Sequence, residues 1–312
     1  MTDDFDFTKP APEAKPHKPD GFDFTKPPPE ASAPFKPANS QFYNPLVASK
    51  LFQASGKEDR FNAGAQLFAE ADKAKGGLFS KGSNRMYYIA EGEVALTIGG
   101  KPLDTVKKGE IVGEMALISE RPRSATATAK TEVLAYSLNS AELQAALSKT
   151  PEFALMLMSV MFDRIRFLAA RLAVKKMAAT APLREAATFD PLLLQQFENA
   201  LSRTSIVRYQ AGASVMKEGQ SGMYMYVVKT GRVYITIKDK VVEQVNPGGT
   251  FGEMALVDQS PRVASATTDV YSELLTVDRA SLLEAVKSQP AFAMAMLRAV
   301  VDRLRHMNAQ LG

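Results

Sequence analysis

Apolar residues recur at helical spacing near the end of each half of the chain. The spacings are four, four, four, three and four in both stripes, which are Phe153, Leu157, Met161, Ile165, Leu168, Leu172 and Phe292, Met296, Val300, Leu304, Met307, Leu311. Such spacing places the side chains on one face of an α-helix, so two long amphipathic helices are predicted. Each stripe could pack within the chain or on a second copy in a homodimer, and the sequence leaves both open.

Alternating apolar runs with turn residues precede each of these helices. Residues 94–98 and 233–237 are rich in β-branched side chains, and turn residues follow both runs, which predicts strands joined by tight turns. Residue types that favour helix N-caps stand at four predicted helix starts, at Asn44, Asn139, Asp190 and Asp278. The pattern predicts a β-barrel flanked by helices in each half.

The second half repeats the first at an offset of 139 residues. Glu114 matches Glu253 at this offset, and Asp163-Arg164 matches Asp302-Arg303. The offset is larger upstream, so the first copy carries nine extra residues near 73–81. We therefore predict two tandem copies of one domain, at 41–180 and 181–312.

Composition excludes several classes of protein. The chain has no cysteine, so it has no disulfides and no thiolate metal site. No segment is apolar for long enough to span a bilayer, which makes a cytoplasmic protein without membrane contact the expectation. The net charge of +4 is not concentrated in a basic stripe, so direct nucleic-acid binding is not expected.

The first 40 residues form a separate, proline-rich arm that is predicted to be disordered. The sequence Phe-Asp-Phe-Thr-Lys-Pro occurs in it twice at a spacing of 17 residues. Exposed aromatic residues in such an arm indicate a duplicated docking motif for a protein partner, carried by Phe5, Phe7, Phe22 and Phe24. The alternative is a duplicated spacer without a partner.

A short motif with a specific chemistry occurs once in each half. A glycine and a glutamate open it, and an arginine follows nine residues after the glutamate, as Glu114 with Arg123 and Glu253 with Arg262. Glycine lets backbone N–H groups approach an anion at a helix start, and arginine offers a planar set of donors to phosphate oxygens. A glutamate beside an anion makes sense if it accepts a hydrogen bond from a sugar hydroxyl. The motif therefore favours a small nucleotide with one phosphate and a free 2′-hydroxyl.

These segments resemble the phosphate-binding cassettes of cyclic nucleotide-binding domains, the superfamily of the catabolite activator protein and of the regulatory subunits of cyclic-AMP-dependent protein kinase. Residues 251–256 and 261–264 match the family pattern closely, whereas Val112 replaces the leading phenylalanine of the first copy. The resemblance implies an α+β fold of two tandem, jelly-roll-like β-rolls with flanking helices. It also implies ligand contacts at Gly113, Glu114, Met115, Ala116, Arg123, Ser124, Gly252, Glu253, Met254, Ala255, Arg262 and Val263.

The residue after each cassette arginine bears on the choice of ligand. The family often uses threonine there to bind guanine, whereas this chain has Ser124 and Val263. Valine cannot donate a hydrogen bond, so the second site is expected to favour cyclic AMP, and Ser124 suits either cyclic AMP or cyclic GMP. No metal or other cofactor is expected.

Catalysis is not expected, because the chain has only two histidines and no P-loop or nucleophile elbow. The predicted function is a receptor or adaptor that binds cyclic AMP in one or both cassettes and signals through its long helices and its arm. The alternatives are a structural protein with vestigial cassettes and, less favoured, a kinase regulatory subunit. A vestigial cassette is expected to leave the buried arginine's donors unpaired, and the less regular first copy is the one expected to have lost ligand.

Overall fold

The computed structural model describes residues 42–72, 84–174, 183–184, 187–201 and 205–311. Side chains are not described at 167, 169–174, 183–184 and 308–311. The predicted arm with its two docking motifs and the predicted insertion near 73–81 lie outside the described residues.

The described residues of the first half form the helices Pro45–Ser55 (α1), Glu114–Ser119 (α2), Ser140–Lys149 (α3) and Glu152–Val174 (α4). Its strands are Lys57–Phe61 (β1), Gln66–Phe68 (β2), Met86–Glu91 (β3), Glu93–Ile98 (β4), Lys101–Lys107 (β5), Ile111–Val112 (β6), Thr126–Ala129 (β7) and Val133–Leu138 (β8).

The second half repeats this order with helices Pro191–Ala200 (α5), Glu253–Asp258 (α6), Arg279–Ser288 (α7) and Ala291–Leu311 (α8). Its strands are Leu183–Arg184 (β9), Ser205–Tyr209 (β10), Ser214–Met216 (β11), Tyr224–Thr230 (β12), Val233–Ile237 (β13), Lys240–Val245 (β14), Thr250–Phe251 (β15), Ser265–Thr268 (β16) and Ser272–Asp278 (β17).

Each half contains a β-roll made of two antiparallel sheets. In the first half the strand orders are β1-β8-β3-β6 and β2-β7-β4-β5. The second half repeats them as β10-β17-β12-β15 and β11-β16-β13-β14, and β9 pairs in parallel with β14 at the edge. The prediction of two tandem β-rolls with flanking helices is confirmed.

The predicted helix starts are also confirmed. The side chains of Asn44, Asp190 and Asp278 each accept a hydrogen bond from a backbone N–H in the first turn of α1, α5 and α7. Asn139 forms a reciprocal capping box with Glu142 at the start of α3. Such caps pair the N–H groups that a helix start leaves without an intrahelical partner.

Among the described residues, the buried hydrophobic side chains form three clusters. Each roll encloses a small core of its own, around Val94 in the first half and Val233 in the second. The helices of both halves share one larger core, in which α4 and α8 pack against each other. Most residues of the two apolar stripes whose side chains are described lie in this shared core, for example Met161 and Leu304.

Intramolecular packing therefore covers the apolar stripes. Phe153 and Phe292 are fully buried, and Leu157 and Val300 are no more than 3% exposed. Because these faces contact each other within one chain, their burial does not require a second copy. Of the helices in the described part of the chain, none combines the length and the apolar character needed to cross a membrane.

A shared core predicts that the two halves unfold together. Leu304→Ala removes a leucine that is 1% exposed in the shared core, and we expect it to lower the free energy of unfolding by about 2–5 kcal/mol. Calorimetric unfolding should show one transition, shifted as a whole. Leu192→Ala is the matched control, because Leu192 is 65% exposed. Two transitions, of which only one shifts, would show that the halves have independent cores.

Candidate functional site

A glycine in the left-handed region begins each cassette helix. Gly113 has φ of 84° before α2, and Gly252 has φ of 78° before α6. A Cβ atom at Gly113 would lie 2.7 Å from Nη1 of Arg123, and one at Gly252 would lie 2.6 Å from Nη1 of Arg262. Glycine is required here both for the backbone conformation and for the close approach of the guanidinium.

The cassette arginines are buried and bound to backbone carbonyl groups. Nη1 of Arg123 donates to the Gly113 carbonyl at 2.8 Å, and Nη2 donates to the Arg85 carbonyl at 2.7 Å. Arg262 donates in the same way to the carbonyls of Gly252 and Tyr224, at 2.7 and 2.6 Å. Both arginines are 5% exposed. The expectation that a ligand-free arginine leaves its donors unpaired is therefore wrong for these donors, because backbone carbonyls of the cassette glycine and of the residue directly before β3 or at the start of β12 supply acceptors.

Neither cassette arginine forms an ion pair with a carboxylate of the described residues. Burial lowers the pKa of both guanidinium groups, because the charged form loses its hydration. Tyr87 and then Glu114 raise the pKa of Arg123 by smaller amounts, and Tyr226 and then Glu253 do so for Arg262. Each glutamate is thus close enough to its cassette arginine for a direct electrostatic effect.

An aromatic side chain packs against each cassette arginine. The guanidinium of Arg123 lies 4.2 Å from the ring centre of Phe68. The guanidinium of Arg262 lies 5.9 Å from the ring centre of Tyr226, which stacks on Phe251. In the first half Val112 replaces that phenylalanine, and Phe68 from β2 supplies the ring instead. The first cassette therefore also has an aromatic ring beside its arginine, but the ring comes from Phe68 and not from Tyr87, which matches Tyr226 at the repeat offset of 139 residues.

The cassette glutamates contact the long helices. Glu114 pairs with Arg164 of α4, and Glu253 pairs with Arg303 of α8, and all four side chains are at most 12% exposed. The second oxygen of Glu253, Oε2, is buried and accepts no hydrogen bond from any described residue. One carboxylate oxygen thus holds the helix, while the other remains an unused acceptor inside the protein.

Sequence reasoning found Arg164 and Arg303 as part of the repeat but missed their role. Each stands directly before a residue of an apolar stripe, Ile165 or Leu304, where an arginine needs a partner if it is to be buried. Their equal offset from Glu114 and Glu253, 50 residues in both halves, is the signal that could have identified the pairs.

The other predicted site residues lie around these four charged groups. Ala116 and Ala255 are buried, whereas Met115 and Met254 are half-buried and pack against the shared core. The residues after the arginines differ, because Ser124 is exposed, whereas Val263 packs against the core of the second roll.

The described residues contain no group of three or more histidine, cysteine, aspartate or glutamate side chains that could hold a metal ion. The cassette glutamates, Glu114 and Glu253, each form an ion pair with an arginine. The arrangement is suited to binding an anion and a hydroxyl.

Comparison with known proteins finds one family model that matches the chain twice, and each match includes one cassette. The family model described as the cyclic nucleotide-binding domain matches residues 58–150 and 206–289. A cGMP-dependent protein kinase of Eimeria tenella is 25% identical over 66% of this chain and 19% of its own length. A cAMP-dependent protein kinase regulatory subunit of Schizosaccharomyces pombe is 24% identical over 70% of this chain and 50% of its own length.

Among solved structures, the catabolite activator protein of Thermus thermophilus is 27% identical over 40% of this chain and 62% of its own chain, with a TM-score of 0.37. The chain spans about a fifth of the length of the kinase and half that of the regulatory subunit. Because the family model covers more than half of the residues, in two tandem matches, the chain belongs to the cyclic nucleotide-binding domain family.

Proposed function

We propose that the protein is a non-enzymatic receptor for a cyclic nucleotide, with one site in each of two domains at residues 41–180 and 181–312. The cyclic phosphate binds to Arg123 or Arg262 and to the N–H groups of the adjoining cassette. The ribose 2′-hydroxyl binds to Glu114 or Glu253. Occupation of a site is passed to α4 or α8 through the arginine that each glutamate already holds.

The observation that carries this proposal is a buried arginine without a carboxylate partner among the described residues, found at the same place in both halves. Backbone carbonyls satisfy N–H donors but do not neutralise a charge. Buried charges are normally paired, because the loss of hydration is otherwise uncompensated. A phosphate supplies the missing negative charge and accepts from the planar donor set.

The unused oxygen of Glu253 supports the second contact. Arg303 occupies Oε1, so a ribose hydroxyl can donate to Oε2 without displacing the helix. The carboxylate would then bridge the ligand and α8. This is a structural reason for placing a glutamate beside an anion.

Cyclic AMP is the proposed ligand, with cyclic GMP as the alternative. Val263 stands where a hydroxyl would be needed to donate to guanine, whereas Ser124 can serve both bases. The relatives include a cGMP-dependent and a cAMP-dependent protein. We further propose that the arm recruits a protein partner through Phe5, Phe7, Phe22 and Phe24.

One observation favours a different function, that of a rigid assembly protein. Nη1 and Nη2 of both Arg123 and Arg262 already donate to backbone carbonyls. The fold therefore tolerates the absence of an anion. A binding measurement separates the two functions.

Removal of either cassette arginine should weaken cyclic AMP binding at its own site. Hydrogen bonds to charged groups contribute about 1.5–3 kcal/mol, so Arg262→Ala is expected to weaken binding at the second site by about 10- to 100-fold. Isothermal titration calorimetry with cyclic AMP and cyclic GMP measures the effect, and Arg123→Ala tests the first site. Arg208→Ala is the matched control, because Arg208 is a surface arginine of the second roll paired with Glu273. The absence of binding heat in the unaltered protein would support the assembly function instead.

The ribose contact predicts discrimination against a ligand without the 2′-hydroxyl. In an Arg123→Ala background, where the second site is read alone, 2′-deoxy cyclic AMP should bind about fivefold to a hundredfold more weakly than cyclic AMP. The reason is that Oε2 of Glu253 stays buried without a donor, which costs about 1–3 kcal/mol. Glu253→Ala, which removes both carboxylate oxygens, should largely remove this difference. Equal affinity for both nucleotides in the unaltered cassette would show that Glu253 does not bind the sugar.

A further inference from the structure

Each long helix contacts the cassette of the other half as well as its own. Arg166 of α4 donates to Asp258 and, at 3.2 Å, to Ser260 Oγ, both in the second half. In return, Arg298 of α8 donates to Glu120 Oε1 at 3.1 Å in the first half. The contacts are reciprocal, and they join the two halves through polar groups in addition to the shared core.

A four-residue repeat, Asp-Arg-x-Arg, organises these contacts. It occupies residues 163–166 on α4 and 302–305 on α8. The first arginine of each repeat, Arg164 or Arg303, binds the glutamate of its own half. The second arginine reaches the other half, where Arg166 binds Asp258 and Arg305 donates to the Pro122 carbonyl at 3.0 Å.

Helix geometry explains why the two arginines serve different halves. Residues two positions apart in an α-helix point about 200° apart around the axis. One arginine therefore faces its own roll while the other faces the opposite side, where the second half packs.

The second arginines contact the turn that leads into each cassette arginine. Cassette helices α2 and α6 are followed directly by Glu120 and Gln259, each with φ of 54°. The residues contacted from the other half lie in or beside these turns, and Arg123 and Arg262 follow three residues after Glu120 and Gln259. These residues are Ile118, Glu120, Arg121 and Pro122 in the first half and Asp258 and Ser260 in the second.

The pair between Arg166 and Asp258 is well shielded. The Asp258 side chain is 4% exposed and that of Arg166 is 18% exposed. Loss of one member of such a pair leaves a charge in a poorly hydrated place, so the pair resists separation. The hydroxyl of Ser260 also donates to Asp258 at 2.6 Å, which further restrains the Asp258 carboxylate.

We propose that Arg166 and Arg305 are positioning residues for the cassette of the opposite half, so that the two ligand sites are coupled in a crossed manner. This rests on the proposed function, because the cassette arginines must be the ligand-binding groups. The turn held by Arg166 sets the position of Arg262, and the turn held by Arg305 sets the position of Arg123. A preformed cassette binds its ligand more tightly than one that must be ordered on binding.

The test reads each site separately in the full chain. In an Arg123→Ala background, Arg166→Met should weaken cyclic AMP binding at the second site by about fivefold or more, the lower end of measured coupling between sites. In an Arg262→Ala background, the same change should leave the first site within about twofold. Arg305→Met should give the opposite pattern, and Arg166→Lys should restore part of the affinity. Arg60→Met is the matched control, because Arg60 is an exposed arginine of the first half.

Hydrogen exchange without ligand provides an independent measurement. Arg166→Met should speed exchange at residues 253–262 more than at residues 114–123, and Arg305→Met should do the reverse. Equal effects on both segments, or faster exchange only in the variant's own half, would overturn the crossed coupling. A chain that shows the crossed exchange pattern but binds no cyclic nucleotide would contradict the proposed function and keep the positioning role.

Discussion

A buried guanidinium that meets backbone carbonyls instead of a carboxylate is the constraint on which each cassette depends. Arg123 and Arg262 need a glycine at the start of the cassette helix, because any Cβ there would collide with the guanidinium. An aromatic ring also lies beside each of them, from Phe68 in one half and from Tyr226 in the other. The carbonyl groups accept hydrogen bonds from both arginines, and the charge that they leave uncompensated is the basis of the proposed anion site.

The glutamate beside this charge joins the site to the helical core. Glu114 and Glu253 each use one carboxylate oxygen to hold an arginine of the long helix in their own half. A second arginine, two residues later, holds the opposite cassette. The proposed ligand site of each roll is thereby linked to the larger hydrophobic core that the helices of both halves share. A change in helix position would be transmitted through that core.

The general fold and the identity of the cassettes could be predicted from the sequence, since they depend on local patterns. Asn44 and Asn139 are predicted to cap helices, and they do so at α1 and α3. The alternation in the strands and the apolar stripes of the helices likewise predict the local structure that forms. Contacts between distant segments could not be predicted in this way. Nothing local shows that Phe68 would replace the missing ring at Val112, or that Arg164 and Arg166 would serve different halves. The first depends on how distant strands of one roll come together, and the second depends on how the two copies pack; a single stretch of sequence determines neither.

The most direct test of the central claim is a crystal structure of the full chain with cyclic AMP. The account predicts the cyclic phosphate at about 3 Å from the guanidinium of Arg262, with the ribose hydroxyl on Glu253 and Arg303 still bound to that carboxylate. A nucleotide bound elsewhere, with Arg262 unchanged on the carbonyls of Gly252 and Tyr224, would contradict it.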